Sequence, residues 1–249
     1  MKLTFSNGWR ATVAEDPLLL LPRFAGTSVR VVPYTGETER GIFLLNTFGS
    51  QEFLWDVSDE FRFAPDGRQL VGVDLYLPDN SAFAEDAARV PTTPAVRPGG
   101  LRADEARNFR HSACTVLCRA PEDAVLTCLR DLDVLDEPLD ARIGIAPDVA
   151  LLVQHGAVVG WSLTDPARYL TTPFAAPDAD PPSLTTRRLL TECLDLITQP
   201  VISDVEESDP AALARLRTLD DALRNQREDR HRADALRTFI AELVEIYAA

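Results

Sequence analysis

Residues 61–77 read Phe61-Arg62-Phe63-Ala64-Pro65-Asp66-Gly67-Arg68-Gln69-Leu70-Val71-Gly72-Val73-Asp74-Leu75-Tyr76-Leu77. Val71, Val73, Leu75 and Leu77 fall on alternate positions, so in an extended chain they share one face. Ala64-Pro65-Asp66-Gly67 supplies the turn before them. Proline presets φ, aspartate bonds to its own backbone, and glycine accepts a positive φ. The stretch therefore predicts a β-hairpin.

Outward from this hairpin, residues 28–77 predict an antiparallel meander. Its strands are expected at 29–32, 41–48, 53–57, 60–63 and 70–77, within a first unit spanning 1–80. Residues 78–103 predict a linker or long surface loop, because Pro78, Pro91, Pro94, Pro98 and Gly99-Gly100 interrupt any regular element. A second break is expected at 173–183, with Pro177, Pro181 and Pro182.

Between the breaks, residues 104–173 predict a smaller mixed β/α unit, either separate or sharing a sheet with the first. Residues 111–119 alternate as a strand. Pro121, Glu122 and Asp123 then suit the first turn of a helix, and Val125, Cys128, Leu129, Leu132 and Leu135 recur at helical spacing. Runs at 149–153 and 158–163 flank His155-Gly156, a two-residue hairpin turn. Residues 61–78 and 143–166 share an Ala-Pro-Asp turn and a Val-Gly strand. That echo has two readings, a duplicated β unit or the punctuation common to hairpins, and the second is favoured.

Residues 183–249 predict helices. An amphipathic stretch at 184–197 ends before Pro200, and Ser208-Asp209-Pro210 has the form of a helix start. Leu213, Leu216, Leu223, Leu236 and Leu243 continue an apolar stripe, interrupted by the polar patch 225–232. That patch marks either a joint between two helices or a polar turn within one. The fold class expected is α+β: an N-terminal antiparallel β meander, a mixed β/α unit and a helical C-terminal region.

The 249 residues carry 39 acidic and 25 basic side chains, a net charge of −14. Residues 1–100 contribute −4 and residues 101–249 contribute −10. Such a field repels phosphate backbones and anionic lipid heads, which argues against nucleic-acid and membrane partners. It attracts a basic protein, although solubility alone also accounts for acidity. No apolar run has the length of a signal peptide or a membrane span, so the cytoplasm is the expected location. Four cysteines are too few for a disulfide scaffold.

His111, Cys114, Cys118 and Cys128 invite a zinc reading. On a strand over 111–119, however, Cys114 and Cys118 lie about 13 Å apart, too far for one ion with Zn–S bonds of about 2.3 Å. His111 would face away from Cys114. No metal or cofactor is expected. Of the histidines, only His111 merits mutation as a base, and no Gly-x-Ser-x-Gly elbow or phosphate loop occurs.

The cluster Asp131, Asp133, Asp136, Glu137 and Asp140 concentrates like charge that a cation or a basic partner would relieve. A solvated face is the structural alternative. Trp161, Arg168 and Tyr169 combine the aromatic and arginine character of an interface. These eight residues form the expected partner-binding set. The leading functional expectation is a non-catalytic acidic module, of immunity, chaperone or adaptor type, engaging a basic partner. The alternative is a small-molecule enzyme using clustered carboxylates, with or without a metal. The C-terminal stripe also offers a homo-oligomer contact.

Overall fold

A computed structural model describes residues 1–50 and 58–248 of the protein. The chain opens with β1 (Lys2–Thr4), β2 (Arg10–Ala14), β3 (Arg23–Ala25) and β4 (Ser28–Val31), followed by helix α1 (Glu37–Leu45). Next come β5 (Phe48–Gly49), β6 (Glu60–Phe63), β7 (Leu70–Tyr76), a single helical turn α2 (Ala84–Ala87), β8 (Val96–Pro98) and β9 (Gly100–Ala103). Five more strands follow: β10 (Val116–Arg119), β11 (Val125–Leu129), β12 (Ala141–Ala146), β13 (Val149–Gln154) and β14 (Ala157–Thr164). The chain then turns helical through α3 (Leu184–Leu196), α4 (Val201–Glu206), α5 (Pro210–Asn225) and α6 (Arg230–Leu243), ending in a π-turn at Val244–Ala248. The protein is α+β.

The hairpin at the centre of the sequence argument is present. The chain reverses over Pro65–Arg68, Ala64 N–H donates to the Gln69 carbonyl at 2.9 Å, and Gly67 takes φ +77°. Strand β7 sits between β4 and β6 in a five-stranded antiparallel sheet ordered β3-β4-β7-β6-β5. The second expected hairpin is equally local: His155 and Gly156 both have positive φ, at 52° and 69°, and join β13 to β14.

The other sheet closes on itself. Its order is β8-β12-β13-β14-β1-β2-β9, and β8 and β9 are consecutive through Gly99. They are two halves of one bent strand, the first paired with β12 and the second with β2. Gly100 makes the bend feasible, since a Cβ there would lie 2.0 Å from the Asp16 carbonyl oxygen. The β10–β11 hairpin joins this ring along β14, opposite residues 160–164. One buried core runs through both sheets and the helices, from Leu3 and Trp9 to Leu236 and Ile240. A smaller cluster, including Val116, Cys118, Leu129 and Val134, lies on the outer side of the β10–β11 hairpin.

Four expectations need correction. Residues 37–45 form a helix where a strand was expected at 41–48. Glu37 and Glu39 favour its positive end, and Glu39 accepts from Thr35 N–H at 2.6 Å and from its hydroxyl at 2.9 Å. The expected strand at 53–57 lies outside the described residues.

The segment 78–103, expected as a linker, carries the bent strand that closes the ring. Pro98, the proline inside β8, is tolerated because β8 has a single sheet partner, β12, and Pro78, Pro91 and Pro94 fall outside the strands.

The helix expected after Pro121 is absent. Glu122 and Asp123 adopt left-handed φ values of 57° and 53°, which stop propagation, and residues 125–129 become β11 between β10 and β14. Their helical spacing coincided with a strand covered on both faces. The strand expected over 111–119 begins only at Val116.

In the C-terminal region the polar patch is a joint between α5 and α6. Asp209 caps α5, accepting from Ala211 N–H at 3.0 Å and Ala212 N–H at 2.9 Å. Leu216, Leu223, Leu236 and Ile240 are buried in the chain's own core, and Leu213 and Leu243 are partly buried against it.

Candidate functional site

A cleft of about 760 Å³ opens where the two sheets meet the helices. The β3–β4 turn contributes Gly26 and Thr27, and the chain leaving β7 contributes Tyr76 to Asp79. Ala113, Cys114 and Thr115 form another wall just before β10. Ile197 and Ile202, with Phe239, Glu242 and Leu243 from α6, close the helical side.

The segment after β7 holds these walls together. Leu77 N–H donates to the Thr27 carbonyl at 2.8 Å, and the Asp79 carbonyl accepts from Gln199 N–H at 2.7 Å. Leu117 N–H donates to the Asn80 carbonyl at 2.8 Å. Sheet, helix and hairpin are thus each tied to one short stretch of backbone.

Behind the cleft lies Asp59, 1 % exposed. Its Oδ1 accepts from Tyr76 N–H at 2.8 Å, and Cys114 Sγ lies 3.7 Å from its Oδ2. Tyr76 and Cys114 both line the cleft, so this carboxyl bridges two of its walls. The Asp59 carbonyl accepts from the Ser50 hydroxyl at 2.9 Å. Burial pushes the Asp59 carboxyl up to about 7, and nearby Asp74 adds to the rise. The hydrogen bonds from Tyr76 and Cys114 act in the opposite direction. The Trp161 indole also faces this carboxyl, but its N–H closes no hydrogen bond of ordinary geometry. Asp74 is itself paired with Arg30 at 2.8 Å.

The Cys114 thiol beside Asp59 and the His111 imidazole are each held neutral by burial. Burial raises Cys114 well above the usual thiol value, with the Asp59 charge adding to it, so the thiolate is disfavoured. Burial lowers His111 to about 4. Its Nδ1 lies 3.2 Å from the Ser6 hydroxyl, and its ring meets Phe5 and Phe61 edge-on. A small cavity of about 90 Å³ lies among Ser6, His111, Cys114 and Arg130.

The cleft's electrostatics are one-sided. Asp79 and Glu242 line it and are exposed. The wall helix α4 continues the same sign, with Asp204, Glu206 and Glu207 on and just after it, whereas Glu245 lies in a separate hollow with Arg217, Arg224 and Arg237. The lining residues include no lysine, arginine or histidine.

The structure scatters the residues expected to bind a partner. Among the 131–140 carboxylates, Asp131 pairs with Arg130 at 2.8 Å, Asp136 with Arg89 at 2.6 Å and Glu137 with His155 Nε2 at 2.6 Å. Asp140 accepts from Gly156 N–H at 2.8 Å, and Asp133 is exposed. None of the five lines the cleft. Their segment is a 3₁₀ turn and loop between β11 and β12, so the helical face expected to crowd them does not form.

Trp161 and Tyr169 are 1 % and 2 % exposed and fill the core, so neither presents a surface to a partner. The Tyr169 hydroxyl donates to Asp148 at 2.5 Å, and Arg168 lies 5.8 Å from the Tyr169 ring centre. Cys114 belongs to the main core while Cys118 belongs to the outer cluster, on opposite sides of the β10–β11 hairpin. Among the described residues, no three His, Cys, Asp or Glu side chains converge as a metal site.

The cleft itself had no sequence signal. Asp59, Cys114, Asp79 and Glu242 follow no common period and lie on four different segments. No protein-family model matches the chain, and no curated protein is significantly similar to it.

Proposed function

We propose that the protein is a non-catalytic, acidic protein-binding module that engages a basic partner, as an immunity protein, chaperone or adaptor would. One observation carries this reading. Asp79 and Glu242, both exposed, are the charged residues of the cleft lining, which holds no base, and the exposed Asp204, Glu206 and Glu207 lie on and just after α4, whose Ile202 is also in the wall. In a chain of net charge −14, this concentrates negative potential at a concave surface. The field accelerates encounter with a basic protein and selects against acidic ones.

The chemistry beside the cleft supports a binding role. The Cys114 thiol is directed at Asp59 and the Cys128 carbonyl and His111 Nδ1 at the Ser6 hydroxyl, not at one another as a nucleophile and its base. Asp59 favours the second reading, a small-molecule enzyme, since a buried carboxyl titrating near neutrality suits general acid–base work. It is sealed behind Tyr76 and Cys114, which weakens that reading. A divalent-cation titration by calorimetry that gives no heat removes its metal-dependent form.

All four cysteines are buried and free, which suits a reducing compartment and supports placing the module in the cytoplasm. Among the described residues, no helix is long and apolar enough to cross a membrane.

The test is binding of the whole protein to oligolysine and oligoglutamate at low and high salt. Binding to oligolysine alone, weakening with salt and reduced by Asp204→Lys/Glu206→Lys/Glu207→Lys, is the expected result. Absence of binding, or affinity indifferent to salt, overturns the proposal.

A further inference from the structure

We infer that the cleft seats an apolar side chain of an extended basic segment of the partner protein, with flanking lysine or arginine meeting Asp79 and Glu242 at its mouth. This rests on the proposed engagement of a basic partner and adds the place and mode of contact.

The walls are apolar, and most of their donors are already used. Leu77, Ile197, Ile202, Phe239 and Leu243 present hydrocarbon. The Thr115 hydroxyl donates to the Arg130 carbonyl at 2.6 Å, Thr198 to Leu194 at 2.7 Å and Thr238 to Ala235 at 2.6 Å. The Cys114 thiol is turned toward Asp59 and the Cys128 carbonyl. A polar occupant would lose its hydration here and recover few hydrogen bonds. An apolar side chain loses nothing by entering.

Charge fixes the flanks. Asp79 and Glu242 are the carboxylates of the lining, and no lining residue is basic. A cation beside the apolar anchor therefore finds a partner at the rim, whereas an anion is repelled.

The exposed charge favours a segment of a protein over a small molecule. The acidic track continues past the mouth along the six-residue α4, about 9 Å long. A second copy of this chain, at net charge −14, is disfavoured as occupant by like-charge repulsion.

The test uses the whole protein and two fluorescently labelled lysine-rich peptides. One carries a central leucine, and the other has serine in its place. Anisotropy should show the leucine peptide binding at least about tenfold more tightly, as burial of one such side chain implies. Thr115→Trp, at an exposed position on the cleft wall, fills the space and should abolish the leucine advantage while leaving serine-peptide binding intact. Ala113→Trp serves as a second filler if the first variant fails to fold. Asp79→Asn/Glu242→Gln should weaken both peptides and flatten their salt dependence. Equal affinity of the two peptides, or a leucine advantage that survives both fillers, overturns the cleft assignment while basic-partner binding stands. Failure of either peptide to bind at any salt concentration ends both.

Discussion

Replacing Asp59 by asparagine should stabilise the protein in neutral and alkaline solution and do little at low pH. The carboxyl is buried among Tyr76, Cys114, Cys128 and Trp161, with Asp74 and its partner Arg30 behind it. Its value rises from 3.8 to about 7 on folding. A carboxyl raised by folding favours the protonated native state. Its penalty is absent below the unfolded value, grows as pH climbs from about 4, and is complete above about 7. At 1.36 kcal/mol per pH unit the full penalty is roughly 4 kcal/mol, an order-of-magnitude figure for so buried a group. Asparagine keeps an acceptor for Tyr76 N–H and removes the charge. Urea unfolding, followed by tryptophan fluorescence between pH 4 and pH 8, measures the difference between parent and variant. The variant's advantage should grow with pH toward that ceiling. Parallel stability curves, or a variant less stable than the parent at pH 8, would refute the account of Asp59 as a buried charge whose desolvation outweighs its hydrogen bonds.

Three further outcomes follow from particular contacts. Arg232 is 1 % exposed and held by Asp229 at 2.9 and 3.1 Å, so Asp229→Ala strands a buried guanidinium. Thermal denaturation should show a loss of about 3–5 kcal/mol, partly recovered when Arg232 is also made apolar. Asp209→Ala removes the cap of α5 and should cost about 1 kcal/mol in chemical denaturation. Gly100→Ala places a methyl against the Asp16 carbonyl and should cost about 1–3 kcal/mol, with hydrogen exchange rising in β9 and β2 before the remainder of the ring.

The parts of the fold legible in the sequence are those whose causes are local. The hairpins at 61–77 and 149–163 are announced by their turns, and α5 by its aspartate cap and following proline. The misread segments are those where an apolar run suits two structures. Residues 41–45, Gly-Ile-Phe-Leu-Leu, resemble a strand, yet the glutamates before them and the packing of Phe43 against Gly72 and Tyr34 favour a helix. Residues 125–129 resemble a helix, yet two strand partners and a left-handed break ahead of them settle the matter. The candidate site was hidden for a different reason: Asp59, Cys114 and Glu242 look ordinary singly, and only the folded chain makes neighbours of the segments that carry them.

The amino-acid order by itself determined the α+β class, the excess of negative charge, the sharp turns and the helix caps, because each depends on composition or on residues a few positions apart. Tertiary structure alone decided that a proline-rich stretch would close a ring of strands, and that acidic segments distant in sequence would surround one apolar cleft. Pairing between distant strands and exclusion of water from a shared core set those relations, and neither leaves a periodic trace along the chain.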